Sequence, residues 1–424
     1  MAVSDLTIIT RSLTSRAFST VVTALTVAVG VALVLVLLSM KDAGERAFSR
    51  GTGNMHFLIT RDAGELASVL NGIYFADVPN ASIPYGEYEQ LRQQYPFAWA
   101  IPTVMGDSYR DFPVVGTTPE LFENFVPAPD TPFAFAEGGP FEAGDTGQIV
   151  IGADVAQRGL SMGDTISFTH GGPRDPSNEV HDTHSFEVVG VLERTSTPFD
   201  RAIFTSLVSS WVVHAQDRIR DPGTIATPDD IAPADRQITG IYARLLGRGG
   251  ASGAAPAALQ SIFERIRREG RYTIAFPEDQ VRNLFSIVGN VNVILVALAA
   301  AVLISSGITL MLALYNTMEQ RRRQIAVLRV LGCSRMKVFG LVVSESAVLG
   351  LLGAAVGVGL SLIAAEIVAG ALFSTTGVVV TPGLSPRWAL GVVTGAVVLA
   401  AVAGLIPAAT AYQTSVVRNL RPQG

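Results

Sequence analysis

Between Arg282 and Glu319 the chain runs 36 residues without a charged side chain. It then turns basic, reading Glu319-Gln320-Arg321-Arg322-Arg323-Gln324-Ile325-Ala326-Val327-Leu328-Arg329-Val330-Leu331-Gly332. About 20 apolar residues cross a bilayer as a helix, so a run this long leaves few alternatives to a membrane span. The arginines after it set its orientation, because short loops rich in Lys and Arg stay on the cytoplasmic side. Composition points to a mixed architecture: 49% of the 424 residues are hydrophobic, 16% are charged, and the mean hydropathy is +0.38. That is too apolar for an ordinary soluble chain and too polar for one that is all membrane.

Two further regions read as spans. Ala17–Met40 is 24 uncharged residues, and between Val338 and Ala411 only Glu345, Glu366 and Arg387 carry charge. The proline-containing stretch Thr381–Pro386 divides the latter region, so four spans are expected, near 18–40, 287–317, 338–371 and 388–411. The first is too long for the apolar part of a signal peptide, and no small-residue cleavage site stands out after it. Arg11 and Arg16, then Arg321 to Lys337, then Arg418 and Arg421 all fall on one side under this scheme, the cytoplasmic one. Lys41 to Phe285 lies on the other, with 20 Lys and Arg against 32 Asp and Glu, a formal −12. Such an acidic domain argues against nucleic acid, which needs basic patches. The one cysteine, Cys333, falls on the cytoplasmic side, so no disulfide holds the outer domain.

The fold class expected is an α-helical membrane protein with four transmembrane helices and a large α+β extracytoplasmic domain. Residues 1–16 read as an amphipathic helix on the inner surface, with Ser4 as its cap. In the outer domain, Met55–Thr60 and Trp99–Met105 read as strands flanking a helix at Tyr85–Tyr95. The order returns late as strand Ile238–Leu246, helix Pro256–Glu269 and strand Tyr272–Phe276. Two β-α-β units suggest a ferredoxin-like module split between the two ends of the domain. The segment between them is β-rich, with strands expected at Gln148–Ile151, Thr165–Thr169 and Phe186–Leu192. Short helices are expected near Asp154–Gly159 and Ser206–His214. Its polar loops are Gly171–His184 and Asp217–Asp235, and Gly247–Ala255 reads as a flexible tip. Pro277-Glu278-Asp279 opens a helix, since proline suits its first turn and acids its positive end. That helix is expected to run on into the second span as a stalk.

Four groups of residues are candidates for function. In Arg321–Lys337, the side chains Ile325, Leu328, Val330 and Leu331 form an apolar side, and Gly332 can end the helix. The segment is either an anchor on anionic lipid, which Arg321–Arg323 alone would satisfy, or a surface held by a cytoplasmic partner, which its helix–glycine–basic helix order favours. Gly350, Gly353, Gly357, Gly391 and Gly395 form small-residue ridges that let helices approach closely, with a lipid or substrate groove as the other reading. Glu345 and Glu366 are ionisable residues in the third span, a class that is suspect by default, although structural roles are expected for both. His181 and His184, with His170 upstream, are weak metal candidates, and no metal is expected, because His-x-x-His alone is a poor signal and His-Glu-x-x-His is absent. No Ser/His/Asp pattern and no Gly-x-x-x-x-Gly-Lys-Ser/Thr loop occurs, so neither catalysis nor P-loop nucleotide binding is expected of this chain.

Three stretches of the last third carry a resemblance. Glu319 to Arg335, Glu345-Ser-Ala-Val-Leu-Gly350-Leu-Leu-Gly353, and Gly404-Leu-Ile-Pro407-Ala-Ala through Asn419-Leu-Arg421-Pro are similar to the FtsX-like permeases of type VII ABC transporters. That family includes the macrolide exporter MacB and the lipoprotein-releasing LolC and LolE. Phe141-Glu-Ala-Gly144, Ile149 to Ala156, Met162-Gly-Asp164 and Phe186 to Leu192 resemble its periplasmic core domain more loosely. The resemblance implies a non-catalytic permease, in a homodimer or paired with a paralogue, at the cell inner membrane. It implies a separate cytoplasmic ATPase that binds ATP and Mg, this chain binding no cofactor. Glu319, Arg321, Arg322, Arg323, Ile325, Leu328, Arg329, Leu331 and Gly332 would then form the ATPase-coupling segment. The implied activity is mechanotransmission: ATP-driven closure moves the outer domains to export or extract a lipoprotein, lipid, peptide or hydrophobic compound. A periplasmic adaptor or lipoprotein and membrane lipid are further expected partners, and nucleic acid is not. The other function within reach is a transmembrane scaffold that activates an extracytoplasmic cell-wall hydrolase. The domain plan is 17–40 first span and 41–285 outer domain, porter-like at 54–105 and 237–280 with a sabre-like insertion at 106–236. It continues with 286–318 second span and stalk, 319–337 coupling segment, 338–372 third span, 373–387 outer loop, 388–411 fourth span and 412–424 tail.

Overall fold

Apolar runs that meet lipid and a polar segment that meets water bury their surfaces in different ways, and the chain divides accordingly. In a computed structural model, which describes residues 5–15, 17–171, 183–219, 225–247, 256–330, 332–376 and 380–413, one unit holds 1–44, 288–371 and 380–424. The other holds 45–287 with 372–379. Ser4, His181, Leu331, the greater part of the polar loop (172–182), the Gly/Ala-rich tip (248–255) and the tail (414–424) lie outside the described residues.

Four helical stretches in the first unit are long and apolar enough to cross a membrane: Ala17–Phe48, Val293–Met318, Arg335–Leu372 and Pro386–Tyr412. The first belongs to a helix, Ala17–Arg50, that passes Lys41 and stops only at Gly51-Thr52-Gly53. The second belongs to one helix, Pro277–Val330, of 54 residues, roughly 80 Å at 1.5 Å per residue. The fourth breaks between Pro386–Ala403 and Leu405–Gln413. Pro407 explains the break: it has no N–H to give the Ala403 carbonyl, and its ring crowds the preceding turn. The amphipathic helix Asp5–Thr14 differs from its expectation. Ile9 and Leu13 are buried against Leu310, Leu314 and Leu349, so its apolar side is docked on neighbouring helices, where it packs more closely than lipid allows.

The second unit is α+β around one mixed sheet. Its strands are β1 (Phe57–Thr60), β2 (Ile83–Pro84), β3 (Phe97–Tyr109), β4 (Phe112–Thr117), β5 (Phe135–Gly138), β6 (Gln148–Ile151) and β7 (Thr165–Ile166). They continue as β8 (Thr169–His170), β9 (Phe186–Leu192), β10 (Ile203–Ser206), β11 (Gln237–Ile238), β12 (Gly240–Leu245) and β13 (Thr273–Ala275). β2 and β11 pair in a separate two-stranded sheet, and the main order of the other strands is β13-β1-β12-β3-β4-β10-β6-β9-β5. The first four strands are antiparallel neighbours. With helices Tyr85–Gln94 and Pro256–Glu269 they form the two split β-α-β units expected from the sequence. β3 carries hydrogen bonding across residue 105 into β4, with a register shift between Met105 and Asp107, so the inserted strands extend the same sheet.

β1 alternates only weakly because both its faces are covered. Phe57 and Ile59 pack with Tyr88, Trp211, Phe263 and Ile266, while Leu58 faces Val69, Ile73, Phe125 and Tyr242. The expected strand Thr165–Thr169 is two short ones, since β7 pairs with β9 and β8 with β3. β4, β5, β10 and helix Glu65–Gly72 were not expected from the sequence.

Candidate functional site

The inner junction is built by the end of one helix and the start of the next. Pro277–Val330 continues through the arginines without a break, and the chain turns at Gly332, whose φ is +94°. That left-handed conformation favours glycine because a Cβ there crowds the following carbonyl. Ser334 then opens helix Arg335–Thr376: its hydroxyl accepts from the Lys337 N–H at 3.2 Å. Ile325 is buried among Met318, Val338, Val342, Ala408 and Ala411, and Ala326 beside it is fully buried. Val330 is exposed and Arg329 partly so. The single apolar side expected for this segment is therefore divided. Ile325 faces inward and seats the segment on the bundle, and Val330 faces outward. The reason is helical spacing: positions five apart lie well over a quarter turn from each other. The side chains of Glu319, Arg321, Arg322, Arg323 and Leu328 lie outside what the structure describes.

Above this junction Glu345 is 9% exposed, and the Ser12 hydroxyl donates to its Oε1 at 2.5 Å. A carboxylate in a spanning helix is costly without such a partner, and this bond ties the N-terminal helix to the third span. In the second unit the two long helices meet. The Phe48 and Phe285 rings are 5.5 Å apart and edge-on, and Phe48 lies 4.8 Å from Tyr74. The Tyr74 hydroxyl donates to the Phe48 carbonyl, and burial pushes that phenol's pKa up.

The sequence matches the FtsX-like permease C-terminal region over residues 296–416 and the MacB-like periplasmic core domain over residues 20–260. The second match alone takes in more than half of the chain. The chain belongs to the FtsX-like, MacB-type family of ABC transporter permeases. A protein of Methanocaldococcus jannaschii described as an uncharacterized ABC transporter permease is 23% identical over 170 residues, which cover 38% of this chain and 43% of that relative. The alignment thus spans less than half of the relative's length. A crystallised domain described as that of a permease from Porphyromonas gingivalis aligns over 53% of this chain and 88% of its own, at 15% identity and a TM-score of 0.24. A likeness that weak carries no argument about fold or function.

Within this FtsX-like permease the small-residue ridges have unequal surroundings. A Cβ on Gly353 would lie 2.8 Å from the Ala24 carbonyl oxygen, and one on Gly357 would lie 2.7 Å from that of Ala28, so the first span packs directly on these glycines. Gly350 faces Ala400 and Ala396 of the fourth span. Gly391 and Gly395 meet nothing within 4 Å among the described residues. Among the described residues they pack against no helix, and that side of Pro386–Ala403 is exposed.

His181 lies outside the described residues and His184 is half-buried. Among the described residues no group of three His, Cys, Asp or Glu side chains is placed to hold a metal. His170 instead lies 3.4 Å from the Asp107 carboxylate and edge-on to His214 at 5.8 Å. Sequence reading missed that association, since residues joined across a sheet leave no local signal. It also missed Glu87, whose carboxylate accepts from Tyr272 at 2.6 Å and Arg61 at 2.7 Å. These bonds join helix Tyr85–Gln94 to the ends of β1 and β13 and hold the Glu87 pKa below its ordinary 4.5, the Tyr272 hydrogen bond contributing most.

Proposed function

We propose that this permease couples ATP hydrolysis by a separate cytoplasmic ATPase to movement of its extracytoplasmic domain. That movement exports or extracts a lipoprotein, lipid, peptide or hydrophobic compound at the outer side of the cytoplasmic membrane. The observation that carries the proposal is the single helix Pro277–Val330. It begins directly after β13 of the outer sheet and ends in the basic junction, so one hydrogen-bonded element joins the two places that must communicate. A helix transmits displacement along its axis because each turn is tied to the next by i→i−4 bonds. Ile325 seats the junction on the bundle, while Arg321, Arg322, Arg323, Leu328, Arg329 and Leu331 provide the basic and apolar contacts for the ATPase. Glu319 and Gly332 bound this surface. No P-loop pattern occurs in these residues, which supports the reading that ATP and Mg are bound by the partner.

The test is co-purification of the tagged permease with its ATPase from native membranes. Leu328→Asp and Arg329→Glu are each expected to reduce ATPase recovery by about tenfold or more, as expected when a contact-centre residue is lost. Full recovery with both variants would overturn the coupling assignment.

A further inference from the structure

The third span carries a second carboxylate, and its surroundings differ from those of Glu345. Glu366 is exposed on helix Arg335–Thr376 and, among the described residues, has no hydrogen-bond or ion-pair partner. It lies 29 residues beyond Lys337, about 43 Å along a helix. A bilayer with its headgroups is roughly 40–45 Å thick, so a basic residue at the inner headgroups puts Glu366 at the outer ones. Trp388 supports that level: its indole N–H donates to Asp42 at 3.0 Å, and tryptophan favours the membrane–water boundary.

Glu366 lines an open cleft of about 230 Å3 between the first and third spans and the loop leading into the fourth. Leu362, Ile363, Pro382 and Leu384 supply apolar walls. The two serine hydroxyls in the lining are already committed, Ser39 to the Gly383 carbonyl at 3.3 Å and Ser361 to the Val358 carbonyl at 2.7 Å. Among the described residues the carboxylate is the remaining polar group, and no Lys or Arg lines the cleft. The cleft is smaller than the roughly 300–1,000 Å3 that encloses a whole drug-sized ligand. It suits a headgroup and the first part of one chain, with the rest in lipid.

We propose that this cleft binds a cationic amphiphile, with its amine or quaternary ammonium against Glu366 and its alkyl chain along Leu362, Ile363 and Leu384. Charge complementarity selects the cation, because an anionic headgroup finds no donor there and faces a like charge. The apolar walls contribute through burial of the chain.

The proposal is independent of the ATPase reading, and its test uses neither nucleotide nor partner. Saturable binding of tritiated dodecyltrimethylammonium and of tritiated dodecyl sulfate to the full chain would be measured in a non-ionic detergent. The ammonium compound is expected to bind at least about tenfold more tightly than the sulfate, with Glu366→Gln removing that preference and Glu366→Asp keeping it. Equal binding of both compounds, or unchanged preference in Glu366→Gln, would overturn the proposal. Should Glu366→Gln fail to fold, Ile363→Trp decides the matter by narrowing the cleft while keeping the carboxylate. Loss of ammonium binding then supports the site, and unchanged binding sinks it.

Discussion

At the scale of single residues, the outer domain depends on a carboxylate that no sequence motif marks. Glu87 accepts from Tyr272 and Arg61, and its folded pKa is lowered. Its stabilising contribution is therefore fully present above the ordinary carboxylate pKa of 4.5 and is lost as pH falls through the lower folded value. Glu87→Gln is expected to lower stability near pH 7 by about 1 kcal/mol, a figure kept modest because the site is partly open to solvent. Denaturant melts of the variant and parent should converge as the pH drops below 4.5; a constant gap would contradict the assignment. Gly332 is the opposite case, because a glycine after a basic helical run suggests a helix stop, and its φ of +94° is what such a stop requires. Whether a residue was legible thus depends on whether its role is local, as at Gly332, or arises from partners distant in sequence, as at Glu87.

At the scale of elements, the helices expected from uncharged runs and the strands expected at Gln148–Ile151 and Phe186–Leu192 are present. β4 and helix Glu65–Gly72 escaped notice. Every residue of β4 is buried, so no alternation betrays it. The glycine ridges show the limit of pattern reading most clearly. All share one spacing logic, yet Gly353 and Gly357 face the first span while Gly391 and Gly395 face no helix among the described residues. Gly357→Leu is expected to lower stability by about 1–3 kcal/mol, because the added side chain must push back the Ala28 carbonyl and Val31. Gly395→Leu should stay within about 0.5 kcal/mol of the parent. Unfolding midpoints of the two variants in detergent would check the contrast, and equal effects would contradict the packing described.

At the scale of the whole molecule, two long helices, Ala17–Arg50 and Pro277–Val330, lead the chain from the membrane unit into the outer one. In the outer unit their ends meet through Phe48 and Phe285. Cys333 gives a direct readout of the inner junction, as the only cysteine in the chain and the residue after Gly332. Its maleimide labelling is expected to slow by about tenfold when the proposed ATPase binds, since contact-centre positions lose water. Unchanged labelling in a complex of proven stoichiometry would place the ATPase elsewhere. The sequence alone determined four long apolar helices and the split β-α-β pattern, because lipid demands uncharged lengths and strands demand periodicity, both local properties of a chain. Only the tertiary structure decided that Ile325 faces inward, that β3 joins the inserted strands to one sheet, that Ser12 holds Glu345 and that Glu366 opens onto a cleft. Each of these depends on which surfaces close packing brings together, and packing joins residues that the chain keeps far apart.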